Sequence, residues 1–199
     1  MRQLKRFWFP GSLIILCIVI VLIIWKPTGS NSDLKQLGAA PDFQLEDTEG
    51  RTVTLDNTMG KVRLVYFFFS NCPDVCLPTT AVLSKLQTEL KAREIFASET
   101  ALFSITFDPV RDTTEQLLKY SANYNVDTNG WLFLRGEEDY TIQLAKDFAV
   151  SVIKDKEGNF AHQNLFVLVD DKGQIRAWYN ANDLNVTVEQ IATDMQSLL

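Results

Sequence analysis

The chain has 199 residues, 46% of them hydrophobic and 22% charged, proportions that suit one globular domain of ordinary size. Four of its 19 basic side chains and none of its 25 acidic ones fall in residues 1–26, so the remainder is strongly acidic, with a net charge of −10. Such a surface argues against nucleic-acid binding, which needs phosphate neutralisation, and otherwise reports solubility.

The first expected element is a membrane-spanning helix. Phe7 to Trp25 carries no charge, and Leu13 to Ile24 is unbroken aliphatic apart from Cys17. Nineteen residues at about 1.5 Å rise cross most of a hydrocarbon core roughly 30 Å thick. Trp8 and Trp25 bracket the segment as interfacial aromatics, and Arg2, Lys5 and Arg6 precede it, which puts the N-terminus in the cytoplasm and the remainder on the extracytoplasmic side. A cleaved signal peptide is the competing reading. The run is longer than a usual signal core, and Ile-Ile-Trp-Lys-Pro-Thr lacks a small-x-small cleavage site. The organisation expected is an anchor over 1–26, a Gly/Ser/Asn-rich tether over 27–40 and a globular domain over 41–199.

Within the domain, Phe43/Leu45 and Val53/Leu55 alternate with polar residues around Asp47–Gly50, a hairpin pattern. Val62–Phe69 reads as a buried core strand. Ala81–Phe96 shows helical spacing at Val82, Leu83, Leu86 and Leu90. Ala101–Phe107 is a second buried strand. Thr113–Asn125 is expected to be a helix capped by Asp112 or Thr113, with Leu117, Leu118 and Tyr124 inward. A strand over Trp131–Leu134 and a helix over Glu138–Phe148 follow, then a hairpin around Asp155–Gly158, a clearer one over 165–179 and a closing helix over Val186–Leu198. The fold class predicted is α/β, a central mixed sheet with helices on both faces.

The chemistry concentrates at Cys72-Pro73-Asp74-Val75-Cys76, directly after the Val62–Phe69 strand. Ligands in α/β sheets gather beyond the carboxyl ends of strands. A spacing of four lets two cysteines form a disulfide on one helical face or pinch a metal ion in a loop. Cys72 before Pro73 fits a helix N-cap, where backbone N–H groups favour a thiolate. Pro78 argues instead for a helix that starts there, leaving Cys72–Leu77 as an irregular turn. As a purely structural staple, so short a disulfide loop would contribute little.

His162 is the single histidine, expected at the entrance of the strand over 165–169. A lone histidine is more often a surface or core residue than a ligand. Two exported thiols on the same sheet change that balance, because two thiolates and one imidazole make a soft three-coordinate set suited to Cu(I). Structural zinc would want a fourth ligand, which only an acid such as Asp74 or Asp108 could supply.

Three stretches together resemble the Sco/SenC family of thioredoxin-like copper proteins: Cys72–Cys76, the run Ile105-Thr-Phe-Asp-Pro-Val-Arg-Asp-Thr113, and the His162 region followed by Asp171-Lys172-Gly173. The resemblance runs from about Ala40 to the C-terminus, and the N-terminal anchor also fits it. It implies a thioredoxin-like fold and a metallochaperone, not an enzyme in the ordinary sense, that binds copper through Cys72, Cys76 and His162. It further implies service to the dinuclear copper centre of cytochrome c oxidase subunit II, by delivering copper, reducing that subunit's cysteines, or both. Asp108 resembles a family acid placed just outside the ligands. One departure is that Leu77 stands between Cys76 and Pro78, where the family usually has proline immediately after the second cysteine.

The alternative function is an extracytoplasmic thiol-disulfide oxidoreductase, with Cys72 attacking and Cys76 resolving. The usual spacing for that role is C-x-x-C, one residue shorter than here.

Overall fold

The computed structural model describes residues 34–71 and 76–199. The expected membrane anchor, the first half of the tether (27–33) and residues Cys72–Val75 lie outside the described residues. Among the described residues, no helix is long and apolar enough to cross a membrane.

Among the described residues, ten strands and four α-helices follow one another in the order β1 (Gly38–Ala39), β2 (Gln44–Asp47), β3 (Thr52–Thr54), β4 (Val62–Phe68), α1 (Cys76–Ala92), β5 (Thr100–Thr106), α2 (Thr114–Ala122), β6 (Trp131–Arg135), α3 (Glu138–Asp147), β7 (Val152–Lys154), β8 (Phe160–His162), β9 (Leu165–Val169), β10 (Gln174–Asn180) and α4 (Val188–Gln196). Eight strands form one sheet in the order β1-β10-β9-β4-β5-β6-β2-β3. β4, β5 and β6 are mutually parallel, and β9 runs antiparallel to β4. Helical crossovers make the parallel pairs, and the β9–β10 hairpin, turning through Gly173 at φ +77°, supplies the antiparallel flank.

β4 and β5 are the centre, and all seven residues of each are buried. Their side chains alternate between two covered faces. Tyr66 and Phe68 pack on one face, Phe68 lying 5.6 Å from the Tyr120 ring of α2. Phe67 points the other way and meets Phe148, the C-terminal cap of α3, at 5.7 Å. Helices therefore cover both faces, as expected. α1 joins the first layer through the 2.8 Å hydrogen bond between Thr80 and Tyr120 hydroxyls, and Arg93 ties it to Thr193 and Gln196 of α4.

Several local expectations are corrected. α1 begins at Cys76, ahead of both Pro78 and the Ala81 start of the apolar pattern. Pro78 is tolerated because the first N–H groups of a helix have no intrahelical acceptor, so none is lost at its third position. Thr113, not Asp112, caps α2, its hydroxyl accepting from the Gln116 amide at 3.2 Å. Leu118 lies on the outer face of α2 and is 48% exposed, whereas Leu117 is buried. The hairpin around Asp155–Gly158 does form, but as a separate two-stranded ribbon, β7–β8. His162 ends β8 on that ribbon and is not part of the main sheet.

At the amino end of β4, Arg63 is fully buried and donates to the carbonyls of Leu55 and Asp170 and to the Thr58 hydroxyl. Residues 34–40 lie along β10 at that same pole, with Leu37 N–H on the Ile175 carbonyl at 2.9 Å and Ala40 N–H on the Gly173 carbonyl at 2.8 Å. Arg176 adds hydrogen bonds to the carbonyls of Leu34 and Lys35. The dithiol segment leaves β4 at the opposite pole.

Candidate metal and thiol site

The parallel register pairs Phe68 with Thr106, so β4 and β5 end side by side. What each strand does next builds the site. From β4 the chain continues through Phe69, Ser70 and Asn71 to Cys72. From β5 it continues through Phe107 and Asp108 to the turn Pro109–Asp112.

Asp112 locks the two exits together. Its buried carboxylate accepts from the Ser70 amide at 3.0 Å, from the Ser70 hydroxyl at 2.5 Å and from the Thr106 hydroxyl at 2.5 Å. Gln116 of α2 adds a donor to the Ser70 hydroxyl at 3.3 Å. The residue two positions before Cys72 is thus held by three polar contacts. Asp112 was not a sequence-derived candidate; its signal was a second acid in a run that opens at the end of a buried strand.

His162 reaches the same place from the ribbon. Its ring centroid lies 5.2 Å from that of Phe107 and 6.0 Å from that of Phe69. Phe160 completes the aromatic cluster, 5.1 Å from Phe107 and 5.8 Å from Phe69. Burial among these rings lowers the His162 pKa below the usual imidazole range, and its hydrogen bond to the Gln163 carbonyl partly offsets that. Nδ1 lies 3.0 Å from the Gln163 oxygen. A carbonyl only accepts, so Nδ1 carries the proton and the lone pair sits on Nε2. A backbone partner on one ring nitrogen is the arrangement that orients a metal-binding imidazole.

Asp108 is buried, with its carboxylate 2.5 Å from Nε of Arg111. Burial raises its pKa and outweighs the lowering effect of the arginine. It is engaged within its own turn by Arg111. Cys76 opens α1 as its first residue. Cys72 lies outside the described residues, so the Cys72–Cys76 distance is not defined. Around this pole is a cavity of about 570 Å³ lined by Phe69, Ser70, Asn71, Leu77, Arg111, Asn159 and Phe160. Leu77, the residue that interrupts the Cys-Pro order, is half exposed on its wall.

The fold and this pole define a thioredoxin-like α/β protein with Cys76 opening a helix after the central strand and a half-buried imidazole packed against the end of that strand. The SCO1/SenC family model matches residues 31–199. The chain is 33% identical over 161 residues to the SCO1 protein homolog of Bacillus subtilis strain 168, covering 78% of this chain and 80% of that protein. It superposes with a TM-score of 0.73, at 32% identity and covering 83% of this chain and 96% of the other, on the structure of BsSco, described as a member of the Sco family of cytochrome c oxidase assembly proteins with a disulfide switch. Copper-bound yeast Sco1 superposes with a TM-score of 0.64 at 27% identity, covering 83% and 91% of the two chains. The chain belongs to the SCO1/SenC family.

Proposed function

We propose that this protein is a copper metallochaperone whose cargo is held by the thiolates of Cys72 and Cys76 and by Nε2 of His162. The observation that carries this reading is the packing of His162 against Phe69, the residue that leads β4 toward Cys72. Copper fits the residues present. Two thiolates and an imidazole are a soft donor set, the Nδ1 hydrogen bond to Gln163 leaves Nε2 as the basic nitrogen, and the aromatic cluster limits water on one side. Copper bound to the family relative from yeast supports the same cargo.

The recipient in this reading is subunit II of cytochrome c oxidase, at its dinuclear copper centre. Support comes from the cytochrome c oxidase assembly role stated for BsSco. Residues 1–26 would hold the domain at the cell membrane as a single-pass anchor with a cytoplasmic N-terminus, residues 27–33 would serve as the tether, and the domain, with residues 34–40 docked along β10, would work outside. The apolar run Leu13–Ile24 and the preceding basic residues support this topology.

A second duty follows from Cys76 at the first position of α1. Oxidation of both thiols to a Cys72–Cys76 disulfide releases two electrons and two protons and removes both sulfur donors. Run against a disulfide in the recipient, the exchange would leave the recipient's cysteines reduced and this pair oxidised. If that exchange turns over many times without metal, the protein is a thiol-disulfide oxidoreductase and copper is incidental.

The deciding experiment compares wild type with His162→Ala. The variant is expected to lose most of its copper retention while both cysteines still oxidise to a disulfide. Copper bound equally tightly by the variant would sink the three-donor site. Multi-turnover reduction of a disulfide substrate by metal-free protein would favour the oxidoreductase.

A further inference from the structure

Arg111 makes three contacts that no role described so far requires. Its Nε pairs with Asp108 at 2.5 Å, its Nη2 donates to the Gly158 carbonyl at 2.7 Å, and its guanidinium carbon lies 5.7 Å from the Phe160 ring centre. Gly158 sits in the turn of the β7–β8 ribbon and Phe160 opens β8, two residues before His162. One side chain therefore reaches from the strand-end turn of the main sheet to the ribbon that carries the imidazole.

The other end of that turn is Asp112, which grips Ser70 ahead of Cys72. The stretch Asp108–Asp112 is thus a bracket, one end holding the approach to the thiols and the other holding the approach to His162. Apart from the packing of Phe160 and His162 on Phe69 and Phe107, the ribbon is not paired with the main sheet among the described residues, and Lys154 near its tip pairs with Glu138 of α3. A two-stranded ribbon alone is marginally stable in water.

We propose that Arg111 is a positioning residue for His162, fixing the ribbon so that the imidazole stays beside the thiol segment, with Asp108 aiming the guanidinium. The inference rests on the copper-chaperone reading above for its consequence, though not for its mechanical part. Arginine suits the task because its planar fork can serve a carboxylate and a carbonyl while lying over an aromatic ring. Lysine cannot do all three.

The test uses the full chain in detergent as wild type, Arg111→Ala, Arg111→Lys, His162→Ala and the double variant Arg111→Ala/His162→Ala. In metal-free protein, amide hydrogen exchange at Ile153, Ala161 and Gln163 is expected to quicken about tenfold in Arg111→Ala. Arg111→Lys should fall between, and amides of β4 and β5 should not change, which controls for general unfolding. Copper titrated into the same proteins is expected to bind about tenfold more weakly to Arg111→Ala than to wild type. In the His162→Ala background the arginine substitution should add less than about twofold, because its effect runs through the histidine. Wild-type exchange in the ribbon of Arg111→Ala, or an undiminished copper effect of that substitution without His162, overturns the proposal. Equal copper binding by wild type and His162→Ala instead overturns the three-donor reading and leaves the exchange result to decide the mechanical part.

Discussion

The ring of His162 packs 6.0 Å from that of Phe69, although ninety-three positions separate them in the chain. Phe69 is the last buried residue before the dithiol segment, so this pair is where the ribbon and the sheet exchange information about position. Phe107 packs 5.2 Å from the same imidazole and 5.4 Å from Phe69, so the three rings form one cluster.

Burial by these rings lowers the His162 pKa, so in metal-free folded protein the imidazole should titrate below the usual value of 6.5. Phe107→Ala admits water and should move it back toward 6.5, as followed by imidazole proton resonances against pH. The unfolded chain binds the proton more readily than the fold does. The stability contributed by neutral His162 is therefore complete above pH 6.5 and declines as pH falls from there through the folded value. A titration at or above 6.5 in the wild type would contradict the packing.

Asp112→Ala strands the Ser70 amide, the Ser70 hydroxyl and the Thr106 hydroxyl together. The expected loss is about 3 kcal/mol, read from urea unfolding midpoints at constant slope. Because Ser70 leads to Cys72, copper retention should weaken even where the variant is fully folded. A variant with wild-type stability would mean that the carboxylate is not the lock between the two strand ends.

Pro78→Ala should change stability by less than about 1 kcal/mol. Proline at the third position of α1 forfeits no intrahelical bond, and alanine there regains none. A stabilisation of several kcal/mol would show that the proline strains the helix start after all.

Arg63→Ala separates fold from function. The variant leaves the Asp170 and Leu55 carbonyls without their donor in a fully buried place and should cost about 3 kcal/mol. Arg63 lies at the pole of β4 away from the thiols, so copper bound per folded molecule should match wild type. Calorimetry and metal analysis on the same sample check both parts.

Much of this architecture is written in short-range pattern. β4 and β5 declare themselves as continuous apolar runs because both of their faces are covered, and the β9–β10 hairpin declares itself through Asp-Asp-Lys-Gly with glycine at φ +77°. Helix limits were less legible. The apolar spacing of α1 starts at Ala81, but the helix extends back to Cys76 because the residues buried in that stretch, Thr79 and Thr80, are polar and leave no apolar pattern. Leu118 misled because the buried stripe of α2 takes Leu117, Tyr120 and Ser121 and leaves Leu118 beyond its edge.

By itself, the sequence determined that a mixed α/β sheet would present two cysteines at the end of its central strand and one histidine late in the chain, in the order that marks the SCO1/SenC family. Only the tertiary structure decided that the histidine rides on a ribbon outside the sheet, that Phe69 and Phe107 bury it, that Asp112 joins two strand ends and that Arg111 spans from sheet to ribbon. Periodicity reports which side of its own element a residue faces. The contacts that assemble this site join residues 42 to 93 positions apart, and their partners are set by how whole elements stack, which no local pattern encodes.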